Sequence, residues 1–485
     1  MKTSNQFITN KLWQLIMKSK KIILRKLTKL IAIFLVLSFN KNIYSKSFTL
    51  EEAIEYGVSN NKELKIQKLN IEKAELAVKE AKGHAFPSLD FTTSYYHYIQ
   101  KPIVFFPDFL ALLNNSTYGI LFKEGLVQQD NTKLLPMGMI KQSFVLNNQF
   151  ESKVQLNQIL FNSTVFRGIG ASKIYLELSK YNYQATLSKT IANIKKAFYA
   201  CILLKNVAEI YQQSLRNAED NFSMIKSLFN QGLVSEYDLL QAEVQVENLK
   251  PLVENSFNAY QNSLNNLKLL LDYPIEDTLD VIGELKYVDF ELPDKDKAIE
   301  RALQSNLDLK VLEYKKKVDV EMVELYRSEN YPSLVAFSNF SFAGQSDKLN
   351  FQTYTQSMVG LQLSMNLFNG FQTQSRIKQS IINYKETEEQ ISQYRAYLTK
   401  LLIEKFMDLE KARKQILAQE KNVKRAQKAY EIALTRFKEG TGIQLEIKNA
   451  ELDLRQANLN YQQALFDFII AKIDIDNIFG EIKYE

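Results

Sequence analysis

The chain has 485 residues, 46% of them hydrophobic, with only 15 Gly and 8 Pro, so breakers are few and long helices are favoured. A single cysteine, Cys201, excludes an intramolecular disulfide, and the two histidines, His84 and His97, form no metal-binding spacing. The net charge of +6 misleads: residues 1–45 hold nine Lys or Arg and no acid, and without them the remainder is −3, which gives no reason to expect a nucleic-acid partner.

Residues 1–45 read as a secretory signal peptide. A basic cluster precedes an apolar run from Leu30 to Leu37, too short to span a bilayer as a helix, which needs about 20 residues. Cleavage is expected near Ser45, and Met17 is an alternative start. A buried amphipathic helix is the other reading, but its one-sided charge suits a core poorly. No Cys follows the run to carry a lipid anchor, and no later stretch is apolar enough for a transmembrane helix. An exported chain of this kind is either soluble or held in an outer membrane by strands.

Residues 49–84 predict a helix that pauses at Ser59-Asn60-Asn61, and Pro87 stops it. A strand follows, with Leu89, Phe91, Tyr95 and Ile99 on one alternation and Asp90, Thr92 and Ser94 on the other. Residues 101–149 form a long, proline-containing insertion before the partner strand, which has Val154 and Leu156 opposed to Gln155 and Asn157 and ends at Phe161-Asn162. From Ser163 to Asn230 there is no Pro, giving a helix of roughly 100 Å at 1.5 Å per residue. Leu187, Ile194, Cys201, Ala208, Leu215, Phe222 and Phe229 recur every seventh residue, with a second stripe at Leu204, Tyr211, Ala218 and Ile225; this is coiled-coil packing, and it places Cys201 in a core. The chain turns at Gln231-Gly232-Leu233 and returns as a helix carrying Val246, Leu249 and Val253, which Pro251 is expected to bend.

After an irregular stretch at 273–296, with one or two short strands, the order repeats. Residues 48–96 and 295–342 match without a gap at an offset of 245: Ala53 as Ala298, Asn61 as Asn306, Leu64 as Leu309, and Pro87-Ser88-Leu89 as Pro332-Ser333-Leu334. Leu160-Phe161-Asn162 returns as Leu367-Phe368-Asn369, and Phe229-Asn230-Gln231-Gly232 as Phe437-Lys438-Glu439-Gly440. The second long helix has Leu402, Leu409, Ile416, Val423, Tyr430 and Phe437 every seven residues, and its return helix has Ile447, Ala450, Leu454 and Tyr461. The layout is therefore a signal at 1–45, a first repeat at 46–272 with its helical hairpin at 163–272, a linker at 273–296, and a second repeat at 297–485 with its hairpin at 370–480.

The fourth strand is the clearest. Val359, Leu361, Leu363, Met365 and Leu367 lie on one face, against Gln362, Ser364 and Asn366. In a soluble sandwich these faces are core and solvent; in an outer-membrane barrel they are lipid and lumen, and the pattern fits both. Four strands cannot close a barrel alone, since single-chain bacterial barrels begin at about eight, and open edges are not tolerated in hydrocarbon. A membrane reading therefore requires several chains to share one barrel.

In the order of its parts, the sequence resembles the TolC-type outer-membrane efflux proteins. The shared features are the doubled helix, strand-hairpin and coiled-coil unit behind a signal, the Pro-Ser-Leu starts and Leu-Phe-Asn ends of strands, and the Phe-x-x-Gly turns followed by Ala242-Glu243 and Ala450-Glu451. The resemblance covers roughly 48–480. It implies a mostly α fold, internally duplicated, in which a homotrimer shares a twelve-stranded transmembrane β-barrel and a long α-helical barrel. It implies a passive duct of a tripartite efflux or type I secretion system, in outer-membrane lipid and extending into the periplasm. Partners would be a periplasmic adaptor (membrane fusion) protein and, indirectly, an inner-membrane RND or ABC pump; no cofactor and no enzyme activity are expected. The adaptor would meet Gly232, Leu233, Gly440 and Thr441. Glu446 aligns with an acidic position of the periplasmic gate, Asn449 with one that is commonly acidic, and Asp238 with an acid whose basic partner is replaced here by Gly442. Val359, Leu361, Leu363, Met365 and Leu367 would face lipid. The competing reading is a secreted periplasmic coiled-coil adaptor or scaffold with a soluble β-domain.

Overall fold

The computed structural model describes residues 46–289 and 293–481; the expected signal peptide lies outside them. By contacts the chain divides into two units. One gathers the chain up to Lys65, Thr186–Asn306 and Leu398 onward; the other holds Ile66–Ala185 and Leu307–Tyr397.

The helices are α1 (Leu50–Asn60), α2 (Lys62–Gly83), α3 (Phe109–Lys123), α4 (Ser163–Asn230), α5 (Glu236–Leu271), α6 (Lys295–Ser305), α7 (Leu307–Ser328), α8 (Gln372–Lys438) and α9 (Gln444–Ile478). The strands are β1 (Lys46–Phe48), β2 (Ser88–His97), β3 (Val104–Pro107), β4 (Met139–Gln142), β5 (Asn148–Asn162), β6 (Leu279–Val281), β7 (Ser333–Ser346) and β8 (Gln352–Ser364).

In the first unit the long helices bury the heptad stripes. Ile194, Cys201 and Ile225 of α4 and Leu402, Leu409 and Ile416 of α8 are buried. Burial pushes the Cys201 thiol up to about 11, so it is a core side chain and not a reactive one. Gly57 shows how closely α1 approaches: a Cβ there would lie 2.4 Å from Ile194 Cδ1 and 2.9 Å from a methyl of Leu271.

The sequence repeat encodes a repeated latch. Asn61, at the break between α1 and α2, accepts the Leu64 N–H at 3.1 Å and donates to the Leu270 carbonyl at 3.2 Å. Asn306, at the break between α6 and α7, donates to the Ile478 carbonyl at 3.0 Å. Each asparagine therefore satisfies a carbonyl in the last turn of a return helix, where no intrahelical donor remains. Asn306 is buried, so Asn306→Ala leaves that carbonyl without this donor; an expected loss of about 1–3 kcal/mol would show as a lower denaturation midpoint.

The linker adds one short parallel pair, β1 on β6, joining Lys46–Phe48 to Leu279–Val281. Asp280 fixes it, accepting from Tyr260 Oη at 2.6 Å, Val281 N–H at 2.8 Å and Lys205 Nζ at 3.1 Å. Burial opposes its charge, but these donors outweigh burial and hold Asp280 below the usual carboxylate range. Pro251 does not interrupt α5, which runs unbroken from Glu236 to Leu271.

The second unit contains an antiparallel sheet in the order β2-β5-β7-β8. Apart from a shift between Ile159 and Phe161 on β5, its register runs straight across: Leu89 opposes Leu156, Leu156 opposes Ser338, and Ser338 opposes Val359. Aromatic rings fill the glycine gaps. A Cβ on Gly360 would lie 2.7 Å from Phe337, and one on Gly344 would lie 2.6 Å from Phe150. The 101–149 insertion is not a structureless loop. It holds α3, a single 3₁₀ turn at Asn131–Lys133, and the antiparallel pair of β3 and β4 that flanks them.

Candidate channel wall and hairpin tips

Apart from Leu160, at the register shift on β5, the pairing sorts the sheet residues onto two faces. One carries Leu89, Phe91, Val154, Leu156, Leu334, Ala336, Phe340, Val359, Leu361 and Leu363, and no Asp, Glu, Lys or Arg. The other carries Asp90, Glu151, Lys153, Gln155, Asn339 and Gln362. Val359, Leu361 and Leu363 are 82%, 69% and 70% exposed, so the uncharged face is bare and is not a core. Both outer strands of the sheet, β2 and β8, have a neighbour on one side only.

Two of the expected lipid-facing residues are not on the strand. β8 ends at Ser364, opposite Ser333, so Met365 and Leu367 lie in the segment leading to α8, both exposed. The reason is Pro332, which has no N–H to donate and ends β7. Sequence reading also missed β7 as part of the apolar face. Its Val335, Phe337 and Ala343 put apolar side chains on the charged face too, which hides the alternation.

The hairpin tips belong to the first unit. At the first, Gly232 takes φ +73° and its N–H bonds the Phe229 carbonyl at 2.8 Å. Ser235 and Asp238 form a capping box on α5: Asp238 N–H donates to Ser235 Oγ at 3.2 Å, and Ser235 N–H donates to the Asp238 carboxylate at 3.2 Å. Leu233 is exposed.

The second tip is built differently. Gly440 also has φ +73°, but Ile443 caps α9 with no side-chain bond. Arg436 braces this turn instead, without capping the helix. It donates to the Thr441 carbonyl at 3.1 Å and pairs with Glu446 at 3.3 Å, while Thr441 Oγ1 donates to the Arg436 carbonyl at 3.1 Å. Gly442 packs tightly there: a Cβ would lie 3.1 Å from Arg436 Cβ and from the Phe437 backbone nitrogen.

Ile225, Ala242, Ala433, Phe437 and Ile447 form a core behind both turns, so the hairpins are packed together. Gln444, with its amide turned to suit its neighbours, donates to the Asp238 carbonyl at 3.0 Å and accepts from Ala242 N–H at 3.1 Å. Among the described residues, no bond or ion pair joins Asp238, Glu446 and Asn449 to one another; Glu446 is half-buried with its own-turn arginine and Asn449 is exposed. Sequence reading missed Arg436, which lies ten residues from Glu446 across the turn. No three His, Cys, Asp or Glu side chains gather to hold a metal among the described residues. No helix among them is long and apolar enough to cross a membrane.

A family model for outer membrane efflux proteins matches residues 146–272 and 298–481. The chain belongs to this family. The outer membrane protein TolC of Salmonella enteritidis is 22% identical over 357 residues, covering 70% of each chain. The alkaline protease secretion protein AprF of Pseudomonas aeruginosa is 22% identical over 365 residues, covering 74% of this chain and 75% of the relative. The fold is that of solved channels. The Campylobacter jejuni CmeC outer membrane channel has a TM-score of 0.68 at 17% identity, over 89% of this chain and 85% of that one. The open state of the Neisseria gonorrhoeae MtrE outer membrane channel has a TM-score of 0.69 at 14% identity, over 90% of each.

This efflux protein is thus an outer-membrane channel for efflux or type I secretion, and its relatives are channel proteins, not enzymes. The soluble-scaffold reading finds no support, since the family is of the outer membrane and the uncharged sheet face is uncovered.

Proposed function

We propose that three copies of this chain share one twelve-stranded barrel and form a passive export duct. The observation that supports this most directly is a four-stranded sheet with a bare, uncharged face and two unpaired edges, in a protein of the outer membrane. Hydrocarbon does not tolerate open edges, so β2 of one copy takes β8 of the next until the sheet closes. The charged face then lines a wet lumen.

The helical hairpins stand in the periplasm, and the turns at Gly232-Leu233 and Gly440-Thr441 meet the hairpins of a periplasmic adaptor protein. An inner-membrane RND or ABC pump supplies the energy through that adaptor. Glu446 belongs to the gate, with Arg436 as the counter-charge that holds it. Asn449 leaves the acidic ring weaker than one with two carboxylates per chain, and Asp238 acts through its capping box.

Conductance across a planar bilayer tests this reading. The wild type is expected to open discrete pores that prefer cations. Glu446→Gln leaves Arg436 without its partner, so the cation preference should fall or reverse, most clearly at about 0.1 M salt, where screening extends over roughly 10 Å. Unchanged selectivity would remove Glu446 from the gate; absence of any pore would remove the duct.

A further inference from the structure

The insertion between β2 and β5 contains a helix turned inside out. α3 directs its two asparagines toward its own chain. Asn115 Nδ2 donates to the Leu135 carbonyl and its Oδ1 accepts the Leu135 N–H, both at 2.7 Å, and Asn114 Nδ2 donates to the Lys133 carbonyl at 2.8 Å. Ala111 on the same side is buried. The opposite side carries Phe109, Leu113 and Ile120, at i, i+4 and i+11, all more than half exposed, with the small Ser116 among them at i+7. No charged residue lies between Asp108 and Lys123. A helix that keeps its amides inward and leaves its large apolar side chains bare is shaped to be covered.

Lipid is a poor cover. The β3-β4 pair of the same insertion is a two-stranded sheet with both outer edges unpaired, and each unsatisfied backbone group costs several kcal/mol in hydrocarbon. The insertion is also fixed over the loop end of the main sheet. Its two roots bind one carboxylate in the β7-β8 turn: Lys101 Nζ donates to Asp347 at 2.9 Å and Asn147 N–H donates to it at 3.0 Å. Both donors hold Asp347 below the usual carboxylate range, Lys101 more strongly. In a barrel closed by several copies the loop ends would make one rim, with the insertions of neighbouring copies set around it.

We propose that the occupant of this face is a second copy of the chain: the α3 helices of neighbouring subunits pack through Phe109, Leu113 and Ile120 into an apolar cap over the outer mouth of the duct. This rests on the shared-barrel reading above. The cap encloses the mouth by packing, so widening it requires separating apolar surfaces and not breaking bonds.

Site-directed cross-linking of the full-length protein in intact outer membranes tests it. Cys201 is buried, so an introduced thiol is the reactive one. Leu113→Cys with a short bis-maleimide is expected to give covalent dimers and trimers, while Gln129→Cys, exposed elsewhere in the insertion, gives none. A triple variant, Phe109→Ser with Leu113→Ser and Ile120→Ser, should keep the barrel trimer and raise single-channel conductance. Intact trimers without cross-links at Leu113→Cys would overturn the cap and leave the barrel standing. So would quenching of a probe at that thiol by spin-labelled lipid, which would place the face in the membrane. Loss of trimers in the wild type would overturn the barrel and the cap together.

Discussion

Leu361→Arg is expected to remove the protein from the outer membrane. Leu361 lies within β8, opposite Ala336, on the face with no charged residue, and it is bare in the single chain. An arginine at the bilayer midplane of a transmembrane barrel costs about 2–4 kcal/mol, and a shared barrel would incur it in every copy. The neighbouring Gln362→Arg points to the charged face and should change stability by no more than about 0.5 kcal/mol. The amount of each variant in the outer-membrane fraction checks this. Equal amounts of Leu361→Arg and wild type would mean that the apolar face does not meet lipid.

Glu451→Ala is expected to be the most damaging single change in the helical unit. Glu451 is 4% exposed and Arg455, one turn later on α9, 14%; they pair at 3.2 Å. The Arg455 guanidinium also sits 6.0 Å from the centre of the Tyr211 ring. Removing one partner of a buried pair strands the other, at about 3–5 kcal/mol, whereas replacing both with apolar side chains is often nearly neutral. Glu451→Ala should therefore lower the denaturation midpoint sharply, and Glu451→Leu combined with Arg455→Met should recover most of the loss. If the double replacement were as damaging as Glu451→Ala, the two residues would not act as a pair.

The repeat made much of the fold legible. Ala53 and Ala298 are both buried, Leu64 and Leu309 likewise, and Asn61 and Asn306 bind equivalent carbonyls. Such positions recur because each copy of the unit packs its opening helices in the same way. Positions on the return helices diverged. Glu243 and Glu451 occupy matching places in the two motifs, yet Glu243 is exposed and Glu451 is buried with an arginine. A single letter carries no information about the partner that decides its environment. The same is true of the tips, where Ser235-Asp238 caps one helix and Arg436-Glu446 braces the other. β1 was invisible because three residues have no periodicity, and its partner β6 lies more than 200 residues away. The insertion reads as a loop because its asparagines suggest turns; only the fold shows that they point inward and the leucines outward.

The shared barrel is tested most directly by the mass of the particle extracted in mild detergent. Native mass spectrometry is expected to give three chains held together without covalent links, surviving dilution and separating only on heating. A stable single chain that still conducts across a bilayer would contradict the account, because its sheet would then face lipid with both edges open.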